Sequence, residues 1–393
     1  MKRHHLLLLL IPLAALIFFI FNQSPSETAV SPPTDPQIEG ISNENPNAGS
    51  EVARCPDYPT NNTAASANHQ LGWSNTGNYL AYGQAEPEPK LFLLDLSAIE
   101  GDNLAPRLEL SSIGWQFDWH PQADEIVYEN NGQLVIHRLI DIEQTAVSRE
   151  TGQTDSNAKW LPSGSDILFH RAGSANSGWH TLAANAPESP TPLFTTNQLD
   201  EEAAHIANRA FTSELAVNHN GEQVAFGVHE FIFVLDQAAG SFNQVSDATQ
   251  CAVAPAWSAD GSQIAYLAVP ELSDTFTEWR LSIVDQNGQS QQLGQELRIQ
   301  QFAWSPVDQR IAVLAQQADG RNDLYLVDLA EEGTLERIAE TEWSETAVAW
   351  SPDGTQLALI SAEHADDHLA QWHVELLTLA TGEQVKIGRL APR

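Results

Sequence analysis

The chain has 393 residues, with 52 acidic against 18 basic side chains and a formal charge of −34. A field of that sign repels phosphate backbones and anionic bilayer surfaces, which argues against nucleic acid as a partner and against electrostatic adhesion to a membrane. Eleven Trp and one Met, with frequent glycine-bearing turn clusters, suit a hairpin-rich β chain better than a helical bundle.

The first element is Met1-Lys2-Arg3-His4-His5 followed by an uncharged apolar run from Leu6 to Phe21. This charged-then-apolar order predicts a membrane-targeting helix over residues 1–21, either a cleaved signal peptide or a retained signal anchor. As a helix the run spans about 24 Å against a hydrocarbon core of about 30 Å, so both readings stay open. Lys2 and Arg3 would keep the N-terminus cytoplasmic and place the rest outside, in the periplasm or on the outer face of the membrane, anchored or secreted. Residues 22–65 are rich in Pro, Ser and Asn and read as a disordered linker.

From residue 66 to residue 393 one pattern recurs. Its copies are Gly72-Trp73-Ser74-Asn75-Thr76-Gly77, Asp118-Trp119-His120-Pro121, Lys159-Trp160-Leu161-Pro162-Ser163-Gly164 and Val217-Asn218-His219-Asn220-Gly221. Three more follow: Ala256-Trp257-Ser258-Ala259-Asp260-Gly261, Ala303-Trp304-Ser305-Pro306 and Ala349-Trp350-Ser351-Pro352-Asp353-Gly354. The steps average about 46 residues, near the length of a four-stranded propeller blade. In the fourth copy Asn218 is read as standing where the others carry Trp, 58 residues after Trp160. Ser-Pro-Asp-Gly supplies each position of a tight turn, with Gly where φ must be positive. The expected fold is therefore all-β, a seven-bladed β-propeller of four-stranded antiparallel blades.

The Trp-Ser-Pro-Asp-Gly repeat resembles the TolB-like, WD40-like repeat of periplasmic β-propellers, over about residues 66–390. The resemblance implies an extracytoplasmic propeller with a role in the cell envelope.

With strands lettered a to d from the axis outward, up-and-down topology puts the a–b and c–d turns on one face. The longer b–c and d–a connections then share the other, and function concentrates on such loops. Five Trp outside the motif, Trp115, Trp179, Trp279, Trp343 and Trp372, fall in or beside these connections, as do Glu278, Asp366 and Asp367. Together they predict an acidic, aromatic partner-binding face. Its partner would be a protein or peptide of the envelope, or a glycan, met by a monomer. Residues 197–211 read as a short amphipathic helix capping the ring. Cys55 and Cys251 in an exported chain predict one disulfide.

Metal ligand types occur in two loops, at His364, His368 and His373 and at Asp319 and Asp323, suited to a transition metal and to calcium respectively. Neither spacing matches an established site, and no Gly-x-Ser-x-Gly or His-Glu-x-x-His sequence is present. The reading is a non-catalytic binding scaffold without a cofactor. The alternative is a metal-dependent polysaccharide lyase or glycan-binding sensor on the same fold.

Overall fold

Every Trp that precedes a repeat turn is the last residue of a strand. In the computed structural model the described residues are 69–389, apart from 85–87, 100–103, 148, 174–176, 196–214, 229–230, 237–240, 248, 270–278, 332, 340–342 and 364–371. The predicted targeting segment, linker and capping helix lie outside them. Among the described residues no helix is long and apolar enough to cross a membrane.

Among the described residues twenty-eight strands form seven four-stranded sheets. Blade 1 comprises His69–Trp73, Tyr79–Gln84, Lys90–Asp95 and Arg107–Ser111; blade 2 comprises Phe117–Trp119, Glu125–Asn130, Gln133–Arg138 and Glu143–Ala146. Blade 3 runs through Thr154–Trp160, Asp166–Ala172, Gly178–Ala183 and Thr191–Thr195, and blade 4 through Leu215–Val217, Gln223–Val228, Phe231–Asp236 and Ser241–Gln244. Blade 5 is Cys251–Trp257, Gln263–Val269, Arg280–Asp285 and Ser290–Leu293. Blade 6 is Arg298–Trp304, Arg310–Gln316, Asn322–Asp328 and Thr334–Ala339, and blade 7 is Trp343–Trp350, Gln356–Glu363, Trp372–Thr378 and Glu383–Arg389. Within each blade successive strands pair in chain order, all antiparallel, so no blade borrows a strand from another.

Alternation along the strands splits each sheet between two neighbours, because successive side chains point to opposite faces. In blade 1, Leu80, Tyr82, Phe92 and Leu94 pack against Ala358, Ile360 and Val374 of blade 7, whereas Ala81, Leu91 and Leu93 pack with Ile126 and Tyr128 of blade 2. The core is thus a set of seams between blades, and the ring is what buries both faces of every sheet.

The repeat Trp ties these seams at the axis. Trp350 Nε1 donates to the Ala303 carbonyl at 2.9 Å, Trp304 to Ala256 at 3.1 Å and Trp257 to Ala216 at 3.1 Å. Trp119 donates to Gly72 at 2.9 Å, and Trp73 closes the ring on Ala349 at 3.2 Å. In each case the acceptor is the residue before the Trp position of the preceding blade. Glutamines answer in the other direction: Gln70 both donates to the Phe117 carbonyl and accepts from its N–H, and Gln301 accepts from Val348 N.

Blade 4 corrects one sequence expectation. Val217, not Asn218, occupies the Trp position, because it pairs with Val224 as Trp257 pairs with Ile264. Asn218 instead takes the place of the motif Ser: its N–H bonds the Gln223 carbonyl, and its carbonyl receives the Gly221 N–H.

Candidate functional site

The two ends of the ring are built differently. In five blades the N–H that opens the c–d turn donates to a carbonyl in or beside the a–b turn: Leu96 to Asn78, Leu139 to Asp124, Ala184 to Ser165, Leu329 to Gln309 and Leu379 to Thr355. Those turns therefore share one face, the turn face, and their polar groups satisfy one another. Ser351 Oγ donates to Asp353 at 2.7 Å and accepts from Gln356 N at 2.9 Å, while Asp353 accepts from the N–H and hydroxyl of Thr355. These bonds, the Ser351 hydroxyl first, hold the Asp353 carboxyl below its ordinary value. Gly354 sits at φ +68° with its absent Cβ 2.4 Å from Val307, so the turns of adjacent blades also nest side by side.

The opposite, loop face carries charge at its strand ends. In blade 3, Arg171 grips Asp155 with two bonds of 2.7 and 2.8 Å, both residues buried and directly opposite in register. His170 and His180 stand on the adjacent strands, and burial pushes both imidazoles below their ordinary value. In blade 6, Arg321 holds Asp319 at 2.7 Å and Arg337 holds Asp323 at 2.6 Å. Asn322 ties this edge to blade 7, donating its N–H to Ser344 Oγ and its side-chain amide to the Glu345 carbonyl. There Lys386 Nζ lies 3.7 Å over the half-buried Trp343 ring, and His373 lies 4.6 Å from the same ring. Glu375, 3.9 Å from Lys386, is raised from its ordinary value, chiefly by burial.

The five Trp of the expected partner face divide. Trp179, Trp279 and Trp372, at 3, 2 and 4% exposure, open strand c or stand just before it and pack into the seams between blades. Trp115 and Trp343 are half-buried at the loop face, Trp343 with Lys386 over its ring. Trp115 sits on a loop that is fixed rather than draped: Ser111 Oγ accepts from Ile113 N and Gly114 N, and Gln116 donates to Asn157 in blade 3. Gly83 and Gly114 admit it, since a Cβ on Gly83 would lie 2.0 Å from the Trp115 carbonyl and one on Gly114 1.9 Å from that of Glu129. Those glycines carry no motif, and sequence reading passed over them.

Glu278, Asp366, Asp367, His364 and His368 lie outside the described residues, as does Cys55. Cys251 is buried as the first residue of strand a of blade 5, at the loop face. Asp319 and Asp323, expected as calcium ligands, are each committed to an arginine, and His373 is buried against Trp343. Among the described residues no three His, Cys, Asp or Glu side chains converge as metal ligands.

No protein-family model matches the sequence, and no curated protein matches it. Solved structures do. An oligogalacturonate lyase in complex with manganese superposes with a TM-score of 0.56 at 14% identity, over 79% of this chain and 88% of that one. The β-propeller domain of the Trilobed protease from Pyrococcus furiosus gives 0.53 at 12% identity, over 83% and 97%. A TolB structure from Agrobacterium tumefaciens gives 0.46 at 17% identity, over 66% and 89%, too low to argue from. At such identities the likeness establishes the propeller fold alone.

Proposed function

We propose that the chain is a non-catalytic, extracytoplasmic binding scaffold whose loop face receives a protein or peptide of the cell envelope. The observation that carries this reading is the asymmetry of the two faces. Turn-face hydrogen bonds are largely consumed within the repeat, whereas the loop face offers two half-buried Trp, one of them on a fixed loop, beside paired charges. Flat aromatic area held rigidly, with charge alongside, is the composition of a recognition hot spot. The charged residues Asp155, Arg171, Asp323 and Arg337 serve to stiffen that face. A Cys55–Cys251 disulfide belongs to the same proposal, fastening the preceding segment at the loop face; mass spectrometry finding two alkylatable thiols in the exported protein would remove it.

The test is cross-linking of the full chain in intact cells, followed by purification of the wild type and of a Trp115→Ala/Trp343→Ala variant. One partner recovered with the wild type and lost from a folded variant supports the reading. Equal recovery by both, or a stoichiometric metal in the chelator-free protein, shifts the case to the lyase or glycan-binding alternative.

A further inference from the structure

One turn of the opposite face departs from the pattern of blades 5, 6 and 7. The c–d turns of blades 6 and 7 end in Gly333 and Gly382, at φ +74° and +69°, each immediately before strand d, and blade 5 uses Gly288 at φ +77°. In blade 2 the residue immediately before strand d is Ile142, at φ +57°. A β-branched side chain is poorly suited to that conformation, and here it stands largely in water: Ile142 is 75% exposed and Ile140 93% exposed. Two isoleucines held in water on a strained turn do not serve the fold.

We propose that this turn is a docking knob for a cationic protein, its two isoleucines entering an apolar pocket of the partner and its carboxylates meeting Lys or Arg at the pocket rim. Asp141 and Glu143 flank the isoleucines in sequence and Asp124 and Glu125 belong to the paired a–b turn; Arg138 bridges Glu125 and Glu143 at 3.2 Å each and Thr76 donates to Asp124 at 2.7 Å, so among these five charged groups Arg138 is the one cation. That charge, within a chain of −34, disfavours both an anionic bilayer and a second copy of the chain as occupant, and it favours a basic one. The knob lies on the turn face, so this inference is independent of the loop-face reading.

The experiment uses the full chain and an Ile140→Ser/Ile142→Gly variant, titrated with a synthetic amphipathic Leu/Lys peptide and with its Ser/Lys counterpart. The wild type is expected to bind the Leu/Lys peptide about tenfold more tightly than the variant does, with no such difference for the Ser/Lys peptide. Equal affinity of wild type and variant for the Leu/Lys peptide overturns the proposal. So does a wild-type dimer in sedimentation that the variant lacks, which assigns the knob to a second copy, or knob-dependent flotation with phosphatidylcholine vesicles, which assigns it to a bilayer. Ile142→Gly alone is expected to raise the thermal midpoint by about 2 °C, since it relieves the turn. A lowered midpoint would show that Ile142 serves stability, and the proposal would fall.

Discussion

Among the described residues, the seam between blades 7 and 1, where the two ends of the propeller meet, carries more ties than the seam between blades 3 and 4 in the middle of the chain. At the closing seam Trp73 reaches Ala349, Ala105 N donates to the Ile387 carbonyl at 2.8 Å, and Arg107 donates to the Arg389 carbonyl at 3.0 Å, around a core of twelve buried side chains. Between blades 3 and 4 Val217 supplies no indole, and the core among the described residues has six buried side chains. The seam before it is also altered: Trp160 Nε1 is buried without a hydrogen-bond partner among the described residues, and Asp118 instead accepts from the Trp160 N–H and pairs with Lys159. Among the described residues, a ring closed without a shared strand has its most elaborate joint where covalent continuity is missing.

The largest expected effects test this contrast directly. Trp372→Ala at the closing seam should cost about 4–5 kcal/mol, and Trp179→Ala between blades 3 and 4 about 3 kcal/mol, by denaturant titration. A reversed order would break the comparison. Asp155→Asn should cost about 3 kcal/mol, because it leaves the buried Arg171 charge without its carboxylate. An Asp155→Leu/Arg171→Met pair should recover most of that loss, and failure to recover would mean that the pair does more than neutralise itself.

The missing indole can also be supplied. In Val217→Trp the ring nitrogen is positioned to meet the carbonyl of Lys159, the residue before the blade 3 Trp, as its sisters meet theirs. The expected gain is about 1 kcal/mol, and a loss would show that blade 4 was shaped around the smaller side chain. The smallest effect concerns pH. His137, His170 and His180 are all lowered from an ordinary value of 6.5, with burial the first cause. Their folded forms resist protonation, so their contribution is complete above about pH 6.5 and is lost as pH falls toward the depressed values. Thermal midpoints should therefore drop from pH 7 to pH 5, and His170→Gln should flatten part of that slope; an unchanged slope would exclude His170 as a source.

The blades were legible because turn chemistry is local. Trp, Ser, Asp and Gly at fixed offsets specify a hairpin whatever surrounds it, and six of the seven Trp positions follow from the recurring Trp before a turn, although blades 2 and 3 carry His120 and Leu161 in place of Ser. Blade 4 was misread by one residue because Asn218 substitutes for Ser in the same hydrogen-bonding role, which left no Trp to set the register. The loop face was less legible for a different reason. Each sheet is buried on both sides, so strands such as Trp372–Thr378 lack the apolar-polar alternation that tells a packed ring from an exposed one. The Asp155–Arg171 pair was hidden by an irregularity between Leu168 and His170, which shifts the register that Trp160 and Ile167 set.

Among the described residues each blade keeps its own four strands, so no shared strand straps the ring shut. His69 and Arg389 both stand at the loop-face ends of blades that share the closing seam. Tension applied between His69 and Arg389 themselves would therefore load that seam first, and once it parts the blades can be drawn off one after another, each a separate hairpin stack. The elaborate joint between blades 7 and 1 then acts as a mechanical latch, and its strength sets the force at which the whole ring gives way.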